Sequence, residues 1–204
     1  ELSGWTHLHA VAATLWVLML IAQPLAIHSG HRDFHRRVGR SSLILMPILL
    51  VSFVGLSHSA MQGMTATELG IKAYFFFIRA VLVSIFVASY VMAMLYRHNV
   101  AVHSRYMVCT GLSLIDPVVH RLAWRTLADP DFNYQLITFG LVYFILLTLI
   151  WMERHAKSGR YVFPVMLAAF LVGGLPLLLD FYTWGVPWEM WKSVTASFAA
   201  LPIP

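Results

Sequence analysis

Six apolar runs of about twenty residues, separated by short polar stretches, decide what this chain can fold into. A helix needs about 20 mainly apolar residues to cross a bilayer. The runs cover 7–27, 41–60, 73–96, 101–122, 134–152 and 161–183. None shows the period-two alternation of a barrel strand, so each reads as a helix. Composition agrees, because only 11% of the 204 residues are charged while 59% are hydrophobic. Soluble domains hold roughly 45–50% apolar and about 25% charged residues. Too few polar side chains are left to cover a surface facing water. A single cysteine excludes an internal disulfide, and Cys109, inside an apolar run, reads as a small buried hydrophobe. The expected fold is therefore all-α, one polytopic transmembrane domain over 1–204. The tail 187–201 sets Trp188, Trp191, Val194 or Thr195, and Phe198 near one helical face. It is expected to form a C-terminal helix in the membrane interface, with Trp at headgroup depth.

Basic residues orient the bundle. The connection 28–40, expected to be a loop, holds Arg32, Arg36, Arg37 and Arg40. Arg97 and Arg105 lie in the next connection on that side, and Arg154, Lys157 and Arg160 in the third. The opposite side has Lys72, Arg121, Arg125 and Lys192. Positive charge concentrates on the cytoplasmic side, which places both termini outside. The first run is too long, and lacks the basic leader, for a signal peptide. The net charge of +5 comes from these clusters, so it points to lipid headgroups as partner and not to nucleic acid.

Ionisable groups within the spans mark where chemistry is expected, since such groups are costly in lipid and turn toward a bundle interior. Arg79 follows Lys72 by seven residues, about 10 Å along a helix. His7, His9, His58, Asp116, His120 and Asp180 fall in the same outer third. Three readings stand. In the first, Arg79 forms a buried ion pair with Asp116 or Asp180 and the histidines anchor helix ends. In the second, His58 and His120 ligate a haem b for electron transfer. Arg79, Arg121 and Arg125 then pair with its propionates. In the third, Asp116 and His120, four apart on one helix face, join His58 or His9 around Fe or Zn. Pro117 disturbs that register, because it disfavours helical geometry at Asp116. Gly173, Gly174 and Pro176 are expected to bend the sixth span. No phosphate loop, H-E-x-x-H or C-x-x-C is present, so no catalytic residue is assigned. The alternative to a cofactor protein is a non-catalytic accessory subunit of a larger membrane complex, holding lipid or pigment.

One phrase recurs. His35-Arg36-Arg37-Val38-Gly39-Arg40 and His155-Ala156-Lys157-Ser158-Gly159-Arg160 both read H-x-[RK]-x-G-R, and His103-Ser104-Arg105 repeats its first half. Two readings of this echo stand: a triplicated helical hairpin, and convergence, because every inner connection must be basic. Leu8-His9, Trp16, Gln23 and the His35–Arg40 phrase, followed by His103-Ser104-Arg105-Tyr106-Met107, resemble a group of bacterial multi-pass inner-membrane proteins without assigned activity. Their pattern is an H-R-x-x-G-R connection before one span and H-x-R-[WY]-M opening another. The likeness covers about the first 125 residues. It implies a helical bundle in a bacterial inner membrane, and no ligand or catalytic residue.

Overall fold

The structure is a computed structural model that describes residues 3–127, 133–179 and 183–203. Its regular elements are helices, and no strand occurs among the described residues. In chain order they are α1 (Gly4–His28), α2 (Arg32–Ser59), α3 (Ala66–Leu95), α4 (Val100–Leu112), α5 (Ile115–Leu127), α6 (Gln135–Met152), α7 (Val162–Leu178) and α8 (Val186–Ala199). Four helices are long and apolar enough to cross a membrane: α1, α2, α3 from Thr67 onward, and α6. Val162–Pro176 of α7 is apolar but shorter. The chain divides into two compact units, one of Glu1–Phe77 with Tyr182–Pro204 and one of Ile78–Phe181.

Two sequence expectations change. The fourth run is two helices, α4 and α5, parted at Ser113 and Leu114. Pro117 is the cause. It has no N–H to donate to the Ser113 carbonyl, and its ring would strike that carbonyl in an unbroken helix. It is tolerated in the first turn of a new helix, where no such donor is needed. The basic stretch 28–40 is not a loop either, for α2 already begins at Arg32. Gly30, at φ +77°, closes α1. The His31 N–H reaches the Ala26 carbonyl (2.8 Å) and the Gly30 N–H the Ile27 carbonyl (3.1 Å), the bond pair of a Schellman stop. Arg36, Arg37 and Arg40 thus stand on the first turns of α2.

In the first unit α1 and α2 pack side by side. The α1 face is Ala12, Trp16, Met19 and Ala26, with Trp16 wholly enclosed. The α2 face is Ser42, Met46, Leu49, Ser52 and Gly55. Alternating steps of four and three residues along α1 keep one narrow stripe against its neighbour. Opposite this stripe, Leu8, Val11, Leu15, Leu18 and Leu25 are exposed. Such a continuous apolar face has no place in water and suits lipid. Thr65 and Glu68 cap α3 reciprocally: the Glu68 carboxylate accepts from the Thr65 N–H (2.8 Å), and Thr65 Oγ1 accepts from the Glu68 N–H (3.4 Å). The tail forms α8, near its expected bounds. Trp191 Nε1 donates to the Ala73 carbonyl at 2.8 Å. Phe76 stacks on Phe198 with centroids 4.9 Å apart. Thr195, not Val194, completes the inward face.

In the second unit α3 contributes Ile78, Leu82, Phe86, Ser89 and Ala93 to the core. Gly173 and Gly174 of α7 serve close approach: a Cβ on Gly173 would overlap Val81, and one on Gly174 would press on Tyr143 and Phe139 of α6. Tyr143 donates its hydroxyl to the Phe170 carbonyl at 3.3 Å.

Candidate functional site

A polar cluster forms in the second unit where α5 begins. The break before Pro117 puts Asp116 in the first turn of α5, where the helix dipole favours a carboxylate. Asp116 is only 7% exposed. Thr138, on α6 and fully enclosed, donates its hydroxyl to Asp116 Oδ1 at 2.7 Å. The same hydroxyl lies 2.9 Å from Gln135 Oε1, one turn earlier on α6. Gln135 is itself buried, and its N–H donates to Asn133 Oδ1 at 3.1 Å.

Four residues that the sequence singled out lie in this unit: Arg79, Asp116, His120 and Arg121. His120 follows Asp116 by one turn of α5, close enough for their charges to interact. Its ring meets Tyr134 edge-on, with centroids 5.9 Å apart. Arg79 is half-buried on α3, and Arg121 is exposed on α5. Arg79 and Asp116 nevertheless form no contact ion pair. Among the described residues the contact pairs are Arg36–Asp33 (3.9 Å), Arg105–Glu153 and Lys192–Glu189 (2.8 Å). Asp180, the other expected partner, lies outside the described residues. Arg125 is exposed in the last turn of α5.

His58 and His9 belong to the first unit. His58 is 2% exposed, with its ring edge-on to Phe198 of α8 (centroids 5.7 Å apart). Its Nε2 and the Ser57 hydroxyl meet no hydrogen-bond partner among the described residues. His9 Nδ1 lies 3.1 Å from Ser52 Oγ across the α1–α2 seam. Among the described residues no three His, Cys, Asp or Glu side chains gather in a group able to hold a metal ion.

The residues that carried the sequence resemblance do architectural work. Trp16 and Gln23 of α1, and His35 and Gly39 of α2, meet along one seam. The Gln23 amide donates to His35 Nδ1 and to the His35 carbonyl (3.3 Å), and its oxygen accepts from the Gly39 N–H (3.0 Å). His103 Nδ1 sits 2.8 Å from the Ala93 carbonyl, one of the last four of α3 that no helical N–H reaches. Arg105 pairs through Nε with Glu153, and its Nη1 donates to the Ala101 carbonyl. The guanidinium lies over Gly159 (φ +73°), where a Cβ would meet it. Gln135, Thr138 and Tyr134 escaped sequence reasoning. Their one signal was that Gln135 and Thr138 are polar and share a face, three apart, at the start of an apolar run.

No protein-family model matches the chain, and neither the curated proteins nor the solved structures hold a match to it.

Proposed function

We propose that this helical membrane protein carries a cofactor in its second unit, and that the cofactor is haem b, held for electron transfer. What supports the reading is that one unit of apolar helices holds the His120 imidazole, one helical turn from the enclosed Asp116 carboxylate, together with the cations Arg79 and Arg121. Haem iron takes one or two imidazoles, and His120 could supply one. An imidazole beside a carboxylate is held in one orientation. When bound, the haem supplies a one-electron centre. The chain's part is to exclude water with α6 and to offer His120 to the iron. The test is the visible spectrum of protein purified in mild detergent. A Soret band is expected, lost in His120→Ala. A colourless preparation from haem-replete cells refutes the reading, and fixed co-purifying partners would then favour an accessory subunit.

The topology belongs to the same proposal. Six passes result if α4 and α5 together make one broken crossing and α7 another, with both termini and α8 on the extracytoplasmic side of a bacterial inner membrane. The basic stretches around Arg36, Arg105 and Lys157 support that orientation. Cys109 is buried and contributes little background to thiol labelling. A membrane-impermeant maleimide should therefore reach Ser193→Cys in intact cells, and Ser158→Cys only after permeabilisation. The opposite pattern inverts the topology.

A further inference from the structure

An open groove of about 510 Å³ lies between the start of α3 and the start of α8, within the first unit. Thr67, Gly70, Ile71 and Tyr74 line it from α3 at steps of three and four, which is one helix face. Trp188 and Lys192, one turn apart, line it from α8. Two features keep it open. Gly70 has no side chain, and a Cβ built there would meet nothing within 4 Å. The Trp191 indole N–H, bonded to the Ala73 carbonyl at 2.8 Å, pins α8 to α3 next to the groove.

The lining is chemically divided. Ile71 leaves an aliphatic surface bare at 63% exposure, and Tyr74 adds a ring one turn further along. Lys192 brings a charge, and its Nζ lies 2.8 Å from Glu189 Oε1, three residues back on α8. Both side chains reach the surface. An ammonium has three donors and a carboxylate about four acceptor sites, so each partner can bind a further group. Opposite charges side by side at an apolar groove match a ligand that carries both signs on an apolar tail. A fatty acid or a singly anionic lipid would answer Lys192 and set its negative charge against Glu189. A phosphoethanolamine headgroup answers both, since its phosphate accepts from Lys192 and its primary ammonium donates to Glu189. We infer that this groove binds an aminophospholipid, its headgroup on the Lys192–Glu189 pair, an acyl chain along Ile71 and Tyr74, and Trp188 at the boundary between them. Selectivity follows from the ammonium N–H groups. The trimethylammonium of phosphatidylcholine carries the same charge and has none to donate. The inference rests on the chain being a membrane protein and does not require haem.

Protein purified in mild detergent is titrated with phosphatidylethanolamine, phosphatidylcholine or phosphatidylglycerol of identical acyl chains, and bound lipid is counted by native mass spectrometry. Phosphatidylethanolamine should bind about fivefold tighter than phosphatidylcholine, as one charge-assisted hydrogen bond at a partly exposed site gives. Glu189→Ala should erase that preference, and Lys192→Gln should weaken both zwitterionic lipids. Gly70→Phe is the independent check, because its ring enters open space and fills the groove; it should abolish the preference with both charges in place. The groove lies in the first unit, so a colourless preparation would refute the haem reading and leave this site standing. Equal binding of phosphatidylethanolamine and phosphatidylcholine, a lead for phosphatidylglycerol, or a folded Gly70→Phe protein that selects as wild type does, overturns it.

Discussion

Trp5 of α1 lies against Gly55 of α2 so closely that a Cβ at Gly55 would fall within the indole ring. Gly39, more than four turns earlier on α2, has only the Gln23 side-chain amide within reach, at 3.9 Å. The same substitution should therefore act oppositely at the two sites. Gly55→Ala must displace a large ring and is expected to cost about 1–3 kcal/mol. Gly39→Ala meets ordinary contact and gains helix propensity, up to about 1 kcal/mol. Unfolding in detergent micelles, followed by tryptophan fluorescence, measures both. Equal losses would mean that Trp5 does not rest on Gly55.

Thr138 holds Asp116 with its only hydroxyl. Thr138→Val keeps the shape and removes the donor, leaving an enclosed carboxylate short of one partner. A loss of about 1–2 kcal/mol is expected, with Thr138→Ser close to wild type. Asp116→Asn should rescue part of the loss in the Val background, because a neutral amide is cheaper to enclose. A Thr138→Val protein as stable as wild type would show that the hydroxyl contributes nothing.

Arg105 joins the start of α4 to Glu153 at the end of α6, over a glycine in the left-handed region. Arg105→Ala is expected to cost about 1–2 kcal/mol, less than a fully buried pair since Glu153 keeps some exposure. Gly159→Ala should cost more than 1 kcal/mol through its positive φ and the guanidinium above it. The two effects share one partner, so the double variant should lose less than the sum. Strict additivity in thermal unfolding would separate Gly159 from Arg105.

The Trp191 indole N–H ties α8 to the Ala73 carbonyl. Trp191→Phe keeps the ring stacked near Phe76 and deletes that bond. We expect a loss of about 1 kcal/mol and faster proteolysis within α8. Unchanged cleavage kinetics would assign the anchoring to Phe198 and Phe76 instead.

How much was legible in the sequence differs by region, and the physics explains where. The apolar runs located α1, α2, α3 and α6 because a bilayer demands length and apolarity together. The tail helix was readable from Trp188, Trp191 and Phe198, whose spacing sets one face. The split between α4 and α5 was visible in Pro117 only as a disturbed register at Asp116, since a proline alone does not say whether a helix bends or restarts. The true start of α2 at Arg32 was hidden by the arginines, which look like a loop in a charge count although they are good helix formers. Arg79, Asp116 and His120 were found as costly groups in apolar surroundings, and Arg121 as a basic residue beside them. Thr138 and Gln135 were not, because a hydroxyl or amide in a span is cheap until its partner is known. Gln23 and His35 looked like a sequence signature and proved to be the mating surface of two helices.

The three-residue break 29–31 between α1 and α2 has a consequence for biosynthesis. Were α1 to leave the ribosome and partition alone, His9 and Gln23 would enter the acyl chains bare, since Ser52 and Gly39 are not yet translated. Waiting for α2 supplies both partners and doubles the greasy area available to the insertion machinery. The first two crossings should therefore integrate together as a hairpin, and a nascent chain halted after Ser29 should be extractable by alkaline carbonate while one halted beyond Ser59 resists it.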